Sequence, residues 1–571
     1  MPANAACSST SIRHACHALT TWEEGSKPLH HGKSQVASAL SPTISLDYAT
    51  YAGSALPNGI TQWLGMRFAA PPIGPLRFSE PQDPIDQTSN GTIPATEHGK
   101  ICLPTGDIDD FTLPNGNYSE DCLFLDVFAP SNATEDSKLP VYFFISGGGF
   151  NSLSNVKYNG SGIIQAAEYD AVVVLFNYRV GPYGFLASEE IVEGGAGINN
   201  GLKDQRKAME WVQKYISHFG GNPGHVVIGG ASAGAQSVSL QVTAYGGRDD
   251  GLFQGTAAES QSFPPVRSIE DSQFAYDNLV IRTNCTASWN DTLSCLRSVA
   301  AADLQRVNYN TPYPGAQEAA LYMYGPTLDY DFIADYPTRA YLGGKFVRVP
   351  AIYGDDTNEG TVFTPKNTSS YGQSSTFLQN NFPELSIKQL GQINELYPVE
   401  DTPSFSGSGR YWRQAADAYG DLRYTCPGIL VSASLVKFGV PSWNYHWNVV
   451  DPEAQAEGLG VQHTVEVHAI FGPTNTNGGA PASYRVGGVN EGVSAVVQGY
   501  WTSFIRTLNP NEKRAAGTPE WEEWTGTAVN GQGGRRLRFE RALNATAMES
   551  PSERQQDRCG YFASIGRSVK H

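Results

Sequence analysis

The chain has 571 residues, 40% of them apolar and 17% charged, with a formal net charge of −17. That length fits one very large domain or several ordinary ones, and the acidic balance argues against nucleic acid and anionic membranes as partners. No window approaches 18 consecutive apolar residues, so no transmembrane helix is expected.

Residues 1–43 lack the apolar core of a secretory signal, and read as a disordered leader or a misassigned start. The rest of the chain nevertheless suits an oxidising compartment. Its cysteines are even in number and dispersed, with no C-x-x-C pair. Sequons at Asn90, Asn117, Asn132, Asn159, Asn284, Asn290, Asn367 and Asn544 exceed the roughly three or four that chance supplies. Together these predict a secreted glycoprotein, with a cytoplasmic protein as the competing reading.

From about residue 44 onward there is no linker, repeat or low-complexity block. LPVYFFIS (139–146) and AVVVLFNY (171–178) read as buried strands. Residues 199–221 read as a helix, with Leu202, Ala208, Met209, Trp211, Val212 and Ile216 on one face and a stop at Gly220-Gly221. HVVIGG (225–230), VRVPAIYG (347–354) and VPSWNYHWNVV (440–450) add three more strands. Continuous apolar strands alternating with helices predict a mainly parallel sheet covered on both faces, with a site at the carboxyl ends of the strands.

The third strand runs into Gly230-Ala231-Ser232-Ala233-Gly234, a G-x-S-x-G pattern. With 60 glycines in the chain, about half of one such match is expected by chance, so the bare motif decides nothing. Its setting is informative, because strand, sharp turn and helix are what a strained nucleophilic serine needs. Gly147-Gly148-Gly149 follows the first strand and, with the N–H of Ala233, offers an oxyanion hole; a flexible turn is the alternative. In the α/β-hydrolase order the acid and then the histidine follow the serine. Asp355, Asp356 and Glu359 all follow the fourth strand and spacing does not separate them. Of the histidines after Ser232, His571 is expected to fray and His446 reads as a strand residue. His463 follows a glycine-rich loop, and His468 lies where a helix or extended segment has begun.

These stretches resemble the type-B carboxylesterases, the cholinesterase-like branch of the α/β-hydrolases and its fungal members in particular. The resemblance runs from about residue 44 to 565 through WLGMRFAAPPIGPLRF, SEDCLFLDVFAP, SGGGF, NYRVGPYGFL, GGASAGAQS, GDDTNEGT and HTVEVHAIFG in order. It implies a single α/β-hydrolase domain with long insertions over 44–565 and a short tail at 566–571. It implies a Ser232–Glu359–His463 triad, an oxyanion hole from the N–H groups of Gly148, Gly149 and Ala233, and a buttressing Ser260. It also implies disulfides Cys102–Cys122, Cys285–Cys295 and Cys426–Cys559, and salt bridges Arg77–Glu120 and Arg179–Asp204. Three positions depart from the family pattern: Ala231 stands for the usual Glu, Ser146 for a His, and Thr464 for a Gly.

The expected chemistry is ester hydrolysis through an acyl-enzyme, with no metal or cofactor and a small ester as the partner. The chain is expected to be a monomer or weak homodimer. The Cys102–Cys122 loop has no Trp, which disfavours choline esters. It is short, acidic and broken by prolines, which favours soluble or moderately hydrophobic esters over the long-chain lipid esters of a lipase or sterol esterase. The rival from another class is a non-catalytic adhesion protein of the neuroligin kind.

Overall fold

The computed structural model describes residues 41–106, 117–288 and 291–571. The leader, Asn290 and the middle of the Cys102–Cys122 loop (107–116) lie outside them. The apolar runs form the centre of an eleven-stranded sheet. Its seven parallel strands are Val172–Phe176, Leu139–Ile145, Gly221–Ala231, Gly255–Glu259, Ala351–Asp356, Ser442–Trp447 and Arg536–Phe539, in that spatial order. Antiparallel strands flank them at both ends. The central strands are buried on both faces, which is why they read as continuous apolar runs.

The predicted strands carry over with shifted starts: AVVVLFNY pairs from Val172, HVVIGG belongs to a longer strand from Gly221, and two others begin late. VRVPAIYG pairs only from Ala351, and VPSWNYHWNVV only from Ser442. In each case a proline, Pro350 or Pro441, stands just before, and it has no N–H to give the ladder. The predicted helix spans Asn200–Tyr215, tightens to a 3-10 turn at Ile216–Phe219, and ends where Gly220 takes φ 81°. All six residues of its apolar face are buried.

The termini differ from expectation. Thr43 already pairs with Ala52 in a strand, so ordered structure starts before residue 44. Residues 566–571 are not a free tail, and His571 is not frayed. Its ring is 5% exposed and packs against Phe263 and Phe382. Lys570 bonds Asp271 (2.7 Å), and its carbonyl accepts the Val266 N–H (2.9 Å). Burial of an aromatic ring and a lysine ion pair outweigh the fraying that ends a chain.

Disulfides join Cys102–Cys122, Cys285–Cys295 and Cys426–Cys559. The buried pairs Arg77–Glu120 (2.6 Å) and Arg179–Asp204 (2.7 Å) are both formed. Asn90, Asn117, Asn132, Asn284, Asn367 and Asn544 are exposed. Asn159 is half-buried and its Oδ1 accepts the Ser161 N–H (2.8 Å).

The Cys426–Cys559 bridge closes 133 residues and Cys285–Cys295 only 10. Loop entropy alone makes them worth about 5 and about 3 kcal/mol respectively. Replacing Cys426 and Cys559 by Ala is therefore expected to lower Tm further than the same change at Cys285 and Cys295. Calorimetry of the two double variants checks this, and equal losses would refute it.

Candidate active site

Ser232 sits between the strand Gly221–Ala231 and the helix Ala233–Gly247, at φ 60° and ψ −119°. This is a backbone region that costs an L-residue on the order of 1–3 kcal/mol. Two contacts hold it there: its N–H donates to the Glu259 carbonyl (3.0 Å), and its carbonyl accepts the Gln236 N–H (2.9 Å). The turn is so tight that a Cβ on Gly234 would lie 2.0 Å from the Ile145 carbonyl oxygen. That contact explains the small residues of the motif.

The other groups arrive from the carboxyl ends of neighbouring strands. Glu359 lies three residues past Ala351–Asp356, and His463 lies in the loop beyond Ser442–Trp447. Asn358 ties the two loops together: its N–H donates to the Val461 carbonyl (2.9 Å), and its Oδ1 accepts the Val461 N–H (3.0 Å). His463 Nε2 is thereby 2.8 Å from Ser232 Oγ, and Nδ1 makes a short hydrogen bond with Glu359 Oε2. Glu359 Oε1 accepts the Asp356 N–H (2.8 Å). The Tyr424 and Phe363 rings flank the imidazole at 4.4 and 5.0 Å between centroids.

The alternatives left open by spacing are separated here. Asp355 lies 3.7 Å from Arg536. Asp356 faces the Ser260 hydroxyl (3.3 Å). His446 bonds Glu549 and Thr357, and His468 bonds Thr476. Of these carboxyls and imidazoles, only Glu359 and His463 line up with Ser232. Ser260 Oγ accepts the Thr464 N–H (3.2 Å) and also lies 3.4 Å from Glu466, so it braces the residue after His463.

The glycine loop after Leu139–Ile145 is anchored at Ser146. Its Oγ accepts the Asn155 N–H (2.8 Å), and its carbonyl accepts the Tyr178 hydroxyl (2.8 Å). Among the described residues, the N–H groups of Gly148, Gly149 and Ala233 donate to no protein acceptor. Gly149 is at φ 64°, and a Cβ there would lie 2.2 Å from the Tyr322 ring.

Burial governs the electrostatics. It pushes the Glu359 carboxyl up, with the Asp356 N–H and Ser260 offsetting part of the effect. It pushes the His463 imidazole down; the Glu466 charge opposes this and Arg423 reinforces it. The resting imidazole is therefore neutral and available as a base. Asp356 and Glu466 are raised too: Asp356 by burial and then by Glu466 and Glu359, Glu466 by burial and then by Glu359, with its hydrogen bond to Asp356 opposing.

One acid was missed in the sequence. Glu259 is the in-register partner of Ala231 on the next strand. Its buried carboxyl accepts from Trp501 Nε1 (2.9 Å), the Tyr142 hydroxyl (3.1 Å) and the Gly230 N–H (3.2 Å), and burial raises it to about 8. A carboxyl thus returns beside the position where Ala231 had removed one. A charged residue inside the apolar run GTAAE was the available signal. Thr464 is explained as well: at φ 61° it occupies a glycine-favouring conformation, held by the Ser260 bond and by its own hydroxyl on the His463 carbonyl (2.7 Å).

An open polar cavity of about 370 Å³ reaches Glu359 from behind, lined also by Asp355, Asp356, Asp417, His446 and Arg536. Neither Ser232 nor His463 lines it, so it is not the cleft in which the serine would meet a substrate. Among the described residues no group of three or more His, Cys, Asp or Glu is arranged to hold a metal, and no helix is long and apolar enough to cross a membrane.

Burial raises Asp355 to about 7, with Arg536 opposing. The folded state thus keeps a proton that the unfolded chain releases near pH 4, so stability is lost as pH rises from about 4 to 7. Asp355→Asn removes that loss. The variant is expected to gain Tm over the parent at pH 8 and to gain little at pH 4.5. Thermal melts at the two pH values test this, and a gain no larger at pH 8 would sink it.

Comparison with known proteins gives a consistent picture. The sequence model described as "Carboxylesterase family" matches residues 41–547. The chain is 31% identical over 532 residues to "Secreted lipase 1" of Botryotinia fuckeliana, covering 86% of this chain and 88% of that protein. It is 32% identical over 401 residues to "Lipase 1" of Geotrichum candidum, covering 63% and 70%. The crystal structure of Aspergillus niger EstA superposes with a TM-score of 0.87 at 41% identity, covering 93% of this chain and 99% of that one.

Proposed function

Because the chain belongs to the carboxylesterase family and is a carboxylic ester hydrolase with the α/β-hydrolase fold, we propose that it works through an acyl-enzyme on Ser232. The observation that carries this reading is the continuous line Ser232–His463–Glu359. His463 Nε2 takes the hydroxyl proton as Oγ attacks the ester carbonyl, and returns it to the departing alkoxide. Glu359 holds the Nδ1–H tautomer and stabilises the imidazolium that forms. The N–H groups of Gly148, Gly149 and Ala233 stabilise the tetrahedral oxyanion, each worth about 2.7–4 kcal/mol of barrier. Water, deprotonated by His463, then attacks the acyl carbon, and the ester bond to Ser232 breaks as His463 gives that proton to Oγ, which releases the acid and restores the enzyme.

We infer soluble or moderately hydrophobic esters as substrates, because the Cys102–Cys122 loop spans only 20 residues in sequence and few of them are apolar anchors. Long-chain lipid esters are the second reading, favoured by relatives named as lipases. Secretion is supported by three disulfides and by relatives named as secreted lipases.

A fluorophosphonate probe should label the parent protein and not Ser232→Ala, and the variant should lose at least about 10³-fold in kcat. Labelling that persists without Ser232 removes the nucleophile assignment. On p-nitrophenyl esters of rising chain length, rates should not jump where the substrate passes its solubility limit; such a jump selects the lipase reading.

The pH dependence tests the base. Neutral His463 is the active form, and its pKa is pushed below the ordinary 6.5. Activity therefore persists as pH falls until that lowered value is reached. The acid limb of kcat/KM should lie below pH 6.5, with circular dichroism showing the protein folded across the range. A limb at or above 6.5 contradicts it.

A further inference from the structure

Among the described residues six arginines are buried. Arg77, Arg179, Arg206 and Arg536 each pair with a carboxylate: Glu120, Asp204, Asp250 and Glu549. Arg267 and Arg423 pair with none among the described residues. These two line the same recess, whose wall also includes Gly149 of the glycine loop, Phe150, Tyr322 and Tyr324. The unpaired cations are therefore collected at one place, beside a candidate oxyanion donor.

Arg423 is the more exacting case. It sits in a π-helical turn, Asp421–Thr425, a form of helix that recurs at functional sites. Its carbonyl accepts the Phe263 N–H (2.8 Å). The guanidinium is 4% exposed, and its Nε is a buried donor without a partner. The rings of Tyr322, Tyr424 and Tyr419 surround it, with centroids 5.2, 5.7 and 5.8 Å from Cζ. Among the described residues Arg267 donates to the Met323 carbonyl (3.4 Å) and stacks on the Tyr313 ring (4.2 Å). Aromatic faces attract a cation, but they do not replace the hydration or the counter-charge that burial removes.

The recess is narrow, about 10 Å³, which is room for one oxygen-sized group. Tyr424 touches both Arg423 and His463, so this cation also lies close to the imidazole that must become charged in the reaction. An anion in the recess would satisfy the free Nε, balance the buried cation, and ease formation of the imidazolium.

We infer that Arg423, assisted by Arg267, selects esters that carry a carboxylate or similar small anion a few bonds from the ester carbonyl. The inference rests on the acyl-enzyme reading of Ser232 and names the substrate class of that site. The substrate's anion occupies the recess beside Gly149 while its ester carbonyl lies at the glycine-loop N–H groups. The recess admits one oxygen of that group, and an ionised donor such as a guanidinium bonds a carboxylate oxygen about twice as strongly as a neutral donor does.

The test compares monomethyl glutarate with its neutral isostere methyl pentanoate by pH-stat. The parent enzyme should show kcat/KM at least about tenfold higher for the anionic ester, the loss expected when a buried charge pair lacks one partner. Arg423→Met keeps the apolar stem; it should abolish that preference, with the loss of kcat/KM falling on the anionic ester. Arg423→Lys should retain part of the preference. Equal or better turnover of the neutral ester by the parent overturns the inference, as does a Met variant that loses activity on both esters alike. Should the variants not fold, inhibition of the parent decides: glutarate should compete with methyl pentanoate at least about tenfold more tightly than glutaramide does, and equal inhibition refutes the idea. Fluorophosphonate labelling keeps the two readings apart. Ser232 labelled with no anionic preference defeats this inference alone, whereas an unlabelled Ser232 defeats the acyl-enzyme reading beneath it.

Discussion

Ser232 keeps its positive φ because the strand before it and the helix after it are packed too closely for any other path. The strand Gly221–Ala231 is bonded on both sides by parallel neighbours, and the helix begins one residue later. Gly230 and Gly234 face each other across the turn, and Ile145 closes it from the next strand. The serine is thereby lifted out of the sheet, and the N–H at the start of the helix is left without an intrahelical acceptor. Every other group at the site is placed relative to that lifted oxygen. The parallel sheet does the placing, since Gly147, Ser260, Glu359 and His463 all follow carboxyl ends of adjacent strands.

Close packing excludes water as well, and the charges at the site follow from that exclusion. Glu259, Asp355, Asp356, Glu359 and Glu466 are all buried, and Glu359 among them bonds His463. In water each would ionise independently. In this interior burial raises each carboxyl and keeps the imidazole neutral. The same low polarity strengthens any fixed donor aimed at a developing oxyanion. It also makes an unpaired guanidinium such as Arg423 expensive to keep, which gives that residue a meaning it would lack on the surface.

The departures from the family pattern are absorbed locally. Ser146 replaces a side chain, but its hydroxyl and carbonyl tie the glycine loop to Asn155 and Tyr178. Thr464 takes a conformation that suits glycine because Ser260 and the His463 carbonyl hold it. Ala231 removes a carboxyl, and the buried carboxyl of Glu259 stands in register with it on the adjoining strand. Each compensation joins residues on separate strands or loops, so none of them is visible as a motif.

The amino-acid sequence alone determined the α/β architecture, the helix at 199–221, the glycine loop and Ser232 as a candidate, because these depend on periodicity and on local steric demands. The strand starts at Ala351 and Ser442 were within reach too, since proline announces them. Tertiary structure decided the rest. Asp355, Asp356 and Glu359 follow one strand with the same local chemistry, and only the cross-loop bonds of Asn358 put Glu359 against His463. Nothing local to His571 marks the aromatic pocket that keeps it from fraying. Glu259 and Arg423 carry meaning through burial and through which charges are absent around them. Those are properties of distant segments brought together, and no spacing along the chain encodes them.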